Sequence, residues 1–189
     1  MARPLSDHKR DAILAAAAKL VAAQGIGAST AQIARAAKVA EGTVFTYFPS
    51  KDALLNAVFV QLETRLANAL ATDFPTGANA HDLLQHAWNA LIAWGSSYPV
   101  DRMALRQLKV SERISEHTRS ECAGLFGSML HSLETGLADH VDGQRLPFYL
   151  GRVLINLLET TLDAMAAEPE HRQRLQQAGF DLFWKGIQR

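Results

Sequence analysis

Apolar residues recur three and four apart along nearly the whole chain, and no stretch alternates strictly with a period of two. That pattern predicts an all-α fold of about nine helices. From about Asp7 to Gln24 the stripe is Ile13, Leu14, Ala17, Leu20 and Val21, with the run Ala15–Ala18 favouring helix and close packing, and Gly25 ends it. A short helix from Ser29 or Thr30 carries Ile33, Ala34 and Ala37 inward. Val39 plugs the turn that follows, and a second short helix starts near Glu41 with Val44 and Phe48 four apart. Pro49 bars its continuation, and Ser50 caps a helix to about Ala71 with Leu54, Leu55, Val58, Leu62 and Leu66 inward. The stretch ATDFPTGANAH is the clearest boundary.

Beyond that boundary the pattern predicts a helix from about His81 to Ser96 and a shorter one bearing Met103, Leu105 and Leu108. A third runs from Ser115 to about Val141, with Leu125, Phe126, Met129, Leu130, Leu133 and Leu137 inward. Two more follow, at about Pro147–Ala167 and Glu168–Ile187. In the first of these, Leu150, Val153, Leu154, Leu157, Leu158, Thr161, Leu162 and Met165 make a stripe wider than one neighbouring helix would cover.

Two short helices about a tight turn, as in Ser29–Lys51, make a helix-turn-helix, whose second helix enters the DNA major groove. Between the inward Val44 and Phe48 lie Phe45, Thr46 and Tyr47, with Thr43 just before: an aromatic and hydroxyl surface rather than a merely charged one.

The set Ile13-Leu14 with Ala16 and Ala17, Leu20, Gly25, Thr30, Ile33-Ala34, Ala37, Val39, Gly42-Thr43, Tyr47-Phe48 and Ser50-Lys51-Asp52 with Leu54 resembles the TetR family of bacterial transcriptional regulators. The resemblance covers roughly residues 9 to 60. It implies an all-helical homodimer with a three-helix DNA-binding head and a larger effector-binding body, the last two helices pairing with their copies. The corresponding domains are 1–50, with the helix-turn-helix at about 30–49, a linker helix at 50–71, and an effector-binding and dimerisation domain at 72–189. Three residues depart from the family pattern. Lys38 and Ala40 stand where the family often has Gly and a capping Ser or Thr, and Phe45 where it often has Tyr. A left-handed backbone is costlier for Lys than for Gly.

Composition changes this picture little. The chain has 189 residues, 48% of them hydrophobic, enough for a substantial core. No apolar run approaches the ~20 residues of a membrane span. MARPLSDHKRD lacks the apolar segment of a secretory signal, and Cys122 is alone, so a cytoplasmic setting without disulfides is expected. Net charge is zero, yet residues 1–55 hold seven Lys/Arg against four Asp/Glu, a net +3, leaving −3 for the remainder. A basic head on an acidic body suits phosphate contact at one end.

Thr43 and Thr46 can bond base edges, and Phe45 can touch a thymine methyl. Glu41 either accepts from a cytosine amino group or sits as an acid on the helix dipole. Gly42 allows close backbone approach. For phosphates the candidates are Thr30, Tyr47, Lys51 and the N–H groups after Ser50, with Arg3, Lys9, Arg10 and Lys38 as further cations. In the family, the positions of Tyr47 and Lys51 commonly touch the DNA backbone.

In the body, Trp88, Met103, Phe126, Met129 and Tyr149 suit either an apolar ligand pocket or an ordinary core. Asn156 either orients a ligand or bonds across the dimer interface. There is no HExxH, CxxC, Gly-rich phosphate loop or GxSxG, so no enzyme, metal or cofactor is expected. These observations lead to a sequence-specific DNA-binding regulator. It is expected to be a homodimeric repressor on a roughly palindromic operator, released by an unknown small apolar or amphipathic effector. A constitutive DNA-binding protein and a ligand-binding helical protein with a vestigial head are the alternatives.

Overall fold

A computed structural model describes residues 6–188, which leaves Arg3 outside the described residues. The helices are α1 (Asp7–Gln24), α2 (Thr30–Ala36), α3 (Glu41–Tyr47), α4 (Lys51–Ala71), α5 (Ala80–Ser97), α6 (Pro99–Lys109), α7 (Glu116–Gly124) and α8 (Gly127–Leu137). Leu146–Phe148, a π-helical stretch Tyr149–Leu154 and Ile155–Ala167 run on without a break and are taken together as α9. Arg172–Ile187 is α10. The fold is all-α, and no strand occurs among the described residues. No helix among them is long and apolar enough to cross a membrane.

The single helix expected from Ser115 to about Val141 is two, α7 and α8. Ser115 does cap the first, accepting from the Thr118 amide at 3.1 Å. The apolar period runs through Leu125 and Phe126, but these are flanked by Gly124 and Gly127, each costing a helix about 1 kcal/mol. The chain tightens there, with the Leu125 amide bonded to the Cys122 carbonyl, and Leu125 is exposed rather than inward.

The chain divides into two compact units. The first takes in the chain up to Arg65 together with Tyr98–Leu125; the second holds Leu66–Ser97 and the chain from Phe126 onward. In the first, α6 lies along α1. Ala16, Ala17 and Ala18 of α1 are buried, as are Ala104, Leu105 and Leu108 of α6. Ala104 of α6, like the alanines of α1, adds little bulk to this packing. Ile33, Val44, Phe48, Leu54, Leu55, Val58 and Leu62 complete this core, as their spacing predicts. Gly25 closes α1 at φ 73, its amide reaching the Val21 carbonyl.

Glu63 of α4 is buried in the same unit, one carboxylate oxygen 3.2 Å from the Lys109 ammonium. Burial, then the charges of Glu63 and Glu121, push the Cys122 thiol up to about 11 against the opposing Lys109.

In the second unit Trp88 is fully buried, and its indole N–H donates to the Gln176 carbonyl at 3.1 Å. Gly179 of α10 is pressed against it: a Cβ there would sit 2.6 Å from Thr161 Oγ1 and 2.7 Å from Trp88 Cζ2. Leu150, Leu154, Leu158, Leu162 and Met165 of α9 are buried, and Val153 and Leu157 half-buried. α9 packs against both α5 and α10, and Val153 and Leu157 are left only partly covered.

Two outcomes follow from this packing. Gly179→Ala should destabilise the protein by roughly 1–3 kcal/mol in urea unfolding, because a rigid indole must move to admit the methyl; an unchanged midpoint would show the contact to be looser. Cys122 should resist a thiol reagent at pH 8 until the chain is unfolded. Its folded-state pKa is raised, so the folded protein holds the proton longer. Stability should therefore fall as pH rises from the ordinary 9.0 toward about 11, relative to Cys122→Ala.

Candidate nucleic-acid interface

The local chemistry of α2 fixes the start of the interface. Ser29 Oγ accepts from the Gln32 amide at 3.2 Å, and Gln32 Oε1 accepts from the Ser29 amide at 2.8 Å, a reciprocal capping box. At the other end the Lys38 amide bonds the Arg35 carbonyl at 3.1 Å and the Val39 amide the Ala34 carbonyl at 3.0 Å. This is a Schellman closure with Lys in the left-handed position usually taken by Gly, at φ 57. The departure at Lys38 thus keeps the turn and bears its strain.

Ala40 cannot cap α3 with a side chain. Instead the Thr30 hydroxyl donates to the Glu41 carboxylate at 2.6 Å, tying α2 to the first turn of α3. Val44 and Phe48 are buried, while Phe45 is 46% exposed and Glu41, Gly42 and Thr46 are exposed. Thr43 is half-buried. The Thr46 hydroxyl donates to the Gly42 carbonyl at 3.0 Å. Nothing lies within 4 Å of a Cβ built on Gly42, so no packing inside the chain calls for glycine there.

The Tyr47 hydroxyl accepts from the Ser6 amide at 2.9 Å and donates to the Ser6 carbonyl at 3.1 Å, joining the end of α3 to the start of α1. Ser50 Oγ accepts from the Ala53 amide at 3.0 Å and so caps α4. Lys51, next to it, is half-buried. Its ammonium pKa is lowered by burial and then by the nearby Arg113 charge, with Asp52 opposing. The Arg10 guanidinium lies 5.7 Å over the Phe48 ring. Lys9 and Lys38 are exposed.

Thr30, Glu41, Gly42, Thr43, Phe45, Thr46, Tyr47 and Lys51 therefore fall on α2, α3 and the head of α4 within one unit. Sequence spacing did not reveal what else is held there. Asn56 Nδ2 donates to the Arg113 carbonyl at 2.8 Å, and the Ser115 amide donates to Asn56 Oδ1 at 3.0 Å. Arg113 Nη1 reaches Asp52 Oδ1 at 2.6 Å. These partners are 57 to 61 residues apart, and no local pattern signals them.

The six body residues are placed differently. Met103 is exposed on α6 in the first unit; the other five are in the second. Trp88 is solid core. Phe126, Met129 and Tyr149 are half-buried, the last in the π-helical stretch. Asn156 is exposed and its side-chain Nδ2 donates to the Arg152 carbonyl at 2.9 Å. An open groove of about 420 Å³ in the first unit is lined by Arg10, Ala57, Val60, Gln61, Thr64 and Arg65, none of the six.

Residues 13–58 match the profile of bacterial regulatory proteins of the tetR family. The HTH-type transcriptional repressor Rv3405c of Mycobacterium tuberculosis is 35% identical over 120 residues, which are 58% of this chain and 64% of that protein. The chain thus spans less than two thirds of that relative. Among solved structures, a protein described as a tetR family transcription regulator from Shewanella sp. PV-4 is similar at a TM-score of 0.84 and 26% identity, over 96% of this chain and 98% of that one. The regulator FadR of Bacillus subtilis, solved with stearoyl-CoA, shares the fold at a TM-score of 0.69 and 16% identity, over 94% and 99% of the two chains.

The strain at Lys38 has a measurable consequence. Lys38→Gly should raise stability by roughly 0.5–1 kcal/mol in urea unfolding, the left-handed penalty being offset in part by glycine's freedom in the unfolded chain. No gain would mean that the turn is not left-handed in solution.

Proposed function

Because the chain belongs to the TetR family of bacterial regulatory proteins, we propose that it is a sequence-specific DNA-binding transcriptional repressor. In this reading it works in the cytoplasm as a homodimer paired through α9 and α10, on a roughly palindromic operator. A small apolar or amphipathic ligand releases it. The observation that carries the reading is α3 itself. It is a seven-residue helix anchored by buried Val44 and Phe48 that leaves the Phe45 ring 46% exposed between Thr43 and Thr46. An exposed aromatic flanked by hydroxyls suits thymine methyls and base edges better than it suits water.

Phe45, Thr43 and Thr46 would read bases, with Gly42 letting the backbone approach closely. Thr30, Tyr47 and Lys51 would hold phosphates, which position the head without reading sequence. Glu41 is engaged by Thr30 in the free protein, which supports its structural role over a cytosine contact. Two heads would read half-sites about 34–36 Å apart. The division proposed for function remains a DNA-binding domain at 1–50, linker helix α4 and an effector-binding and dimerisation domain at 72–189.

Effector release requires that the ligand bind the DNA-free arrangement better, by linkage. Phe126, Met129 and Tyr149 suit ligand-facing roles. Trp88 suits only an apolar wall, since its one polar atom is engaged. The ligand of the Bacillus subtilis neighbour makes long-chain acyl-CoA one amphipathic class to test. The solid packing around Trp88 favours, as a second reading, a constitutive repressor without effector.

Selection of bound sequences from random duplexes at near-physiological salt should enrich a palindromic consensus. Tyr47→Phe should weaken binding to it by about tenfold or more, the worth of one hydrogen bond to a charged group. If well-folded protein enriches no sequence, the proposal fails. If it enriches one but no apolar or amphipathic ligand class releases it, the constitutive reading stands.

A further inference from the structure

The head of α4 carries a cation that does not come from the helix-turn-helix. Arg113 belongs to the loop 110–115 between α6 and α7. Two hydrogen bonds from one side chain hold that loop: Asn56 donates to the Arg113 carbonyl and accepts from the Ser115 amide, at 2.8 and 3.0 Å. The Arg119 guanidinium holds it from the other side, donating to the Lys109 and Ser111 carbonyls at 2.9 and 2.7 Å. Arg113 then extends its guanidinium to Asp52 in the first turn of α4, both side chains about half exposed. Its charge is felt at Lys51, where it adds to burial in lowering the ammonium pKa.

We propose that Arg113 is a DNA-backbone contact, its guanidinium passing from the Asp52 carboxylate to a phosphate when the head of α4 meets the duplex. The inference rests on the DNA-binding reading above. The exchange costs little, because an exposed ion pair adds little to stability. It gains what a surface pair does not. A guanidinium meets a phosphate with two parallel N–H donors, and condensed counterions are released from the DNA. The Arg113 charge disfavours the Lys51 ammonium in the free protein, and a phosphate at the head of α4 would offset it. The clamped loop is ordered before DNA arrives, so little entropy is lost on contact.

A purely structural role is the competing account, in which Arg113 braces the loop through Asp52 alone. The dependence of DNA affinity on salt separates the two. For the full-length protein on its selected duplex, Arg113→Gln should reduce the slope of log affinity against log salt by about 0.9 per head. It should weaken binding to unrelated duplex by a similar factor. Arg113→Lys should keep the slope, and Asp52→Asn, which frees the guanidinium, should tighten binding. An unfolding midpoint for each variant checks that the fold is kept. Arg113→Gln with the wild-type slope would overturn the proposal even if affinity fell, since loss of a brace changes stability and not counterion release. If wild-type protein binds no duplex at all, the DNA-binding reading fails first and this contact with it.

Discussion

The contact on which the first unit depends is the packing of α6 against α1. Ala16, Ala17 and Ala18 of α1 and Ala104 of α6 are all buried and present little bulk. Interiors are close-packed, so a larger side chain at any of these buried positions has to displace a neighbour. The seating also carries the end of α6 to a fixed place. From there the loop 110–115 meets Asn56, and through it Arg113 meets Asp52. The electrostatics at the head of α4 are thus set by a helix that the chain supplies after leaving and re-entering the unit.

The side chains of the candidate interface are satisfied within the chain. Thr30 is engaged by Glu41, Thr46 by the Gly42 carbonyl, Tyr47 by both backbone groups of Ser6, and Arg113 by Asp52. Groups proposed above to face DNA are held in place by neighbours on the same surface. On that proposal, binding is an exchange of partners rather than a capture by free hydrogen-bonding groups, and its net free energy is the difference between two satisfied states. Phe45 is the exception: its ring has no such partner to give up, only water.

What could be read from residue order was what is decided within a turn or two of helix. Ser29, Ser50 and Gly25 bond groups within four residues, and they cap where their types predict. Val44 and Phe48 sit where a period of 3.6 puts them. Lys38 was legible as a departure that would strain the turn, and φ 57 bears this out. At Gly124 and Gly127 two signals disagreed, and the apolar period masked the break. The Ser6–Tyr47 and Asn56–Arg113 pairs join residues 41 and 57 apart, and nothing in the side-chain types names the partner. The body aromatics were ambiguous for a different reason. A buried indole has the same chemistry in a wall as in a core, and its type does not foretell that Gly179 packs against Trp88.

The first unit is discontinuous in the chain, and this bears on modularity. Proteins built on one plan invite the exchange of parts between them. Here a single cut after α4 would part α1 from the α6 that packs on it, and Asn56 from the loop it clamps. A transplanted first unit keeps its own packing only if Tyr98–Leu125 travels with it, so the seam between the two units is three cuts rather than one.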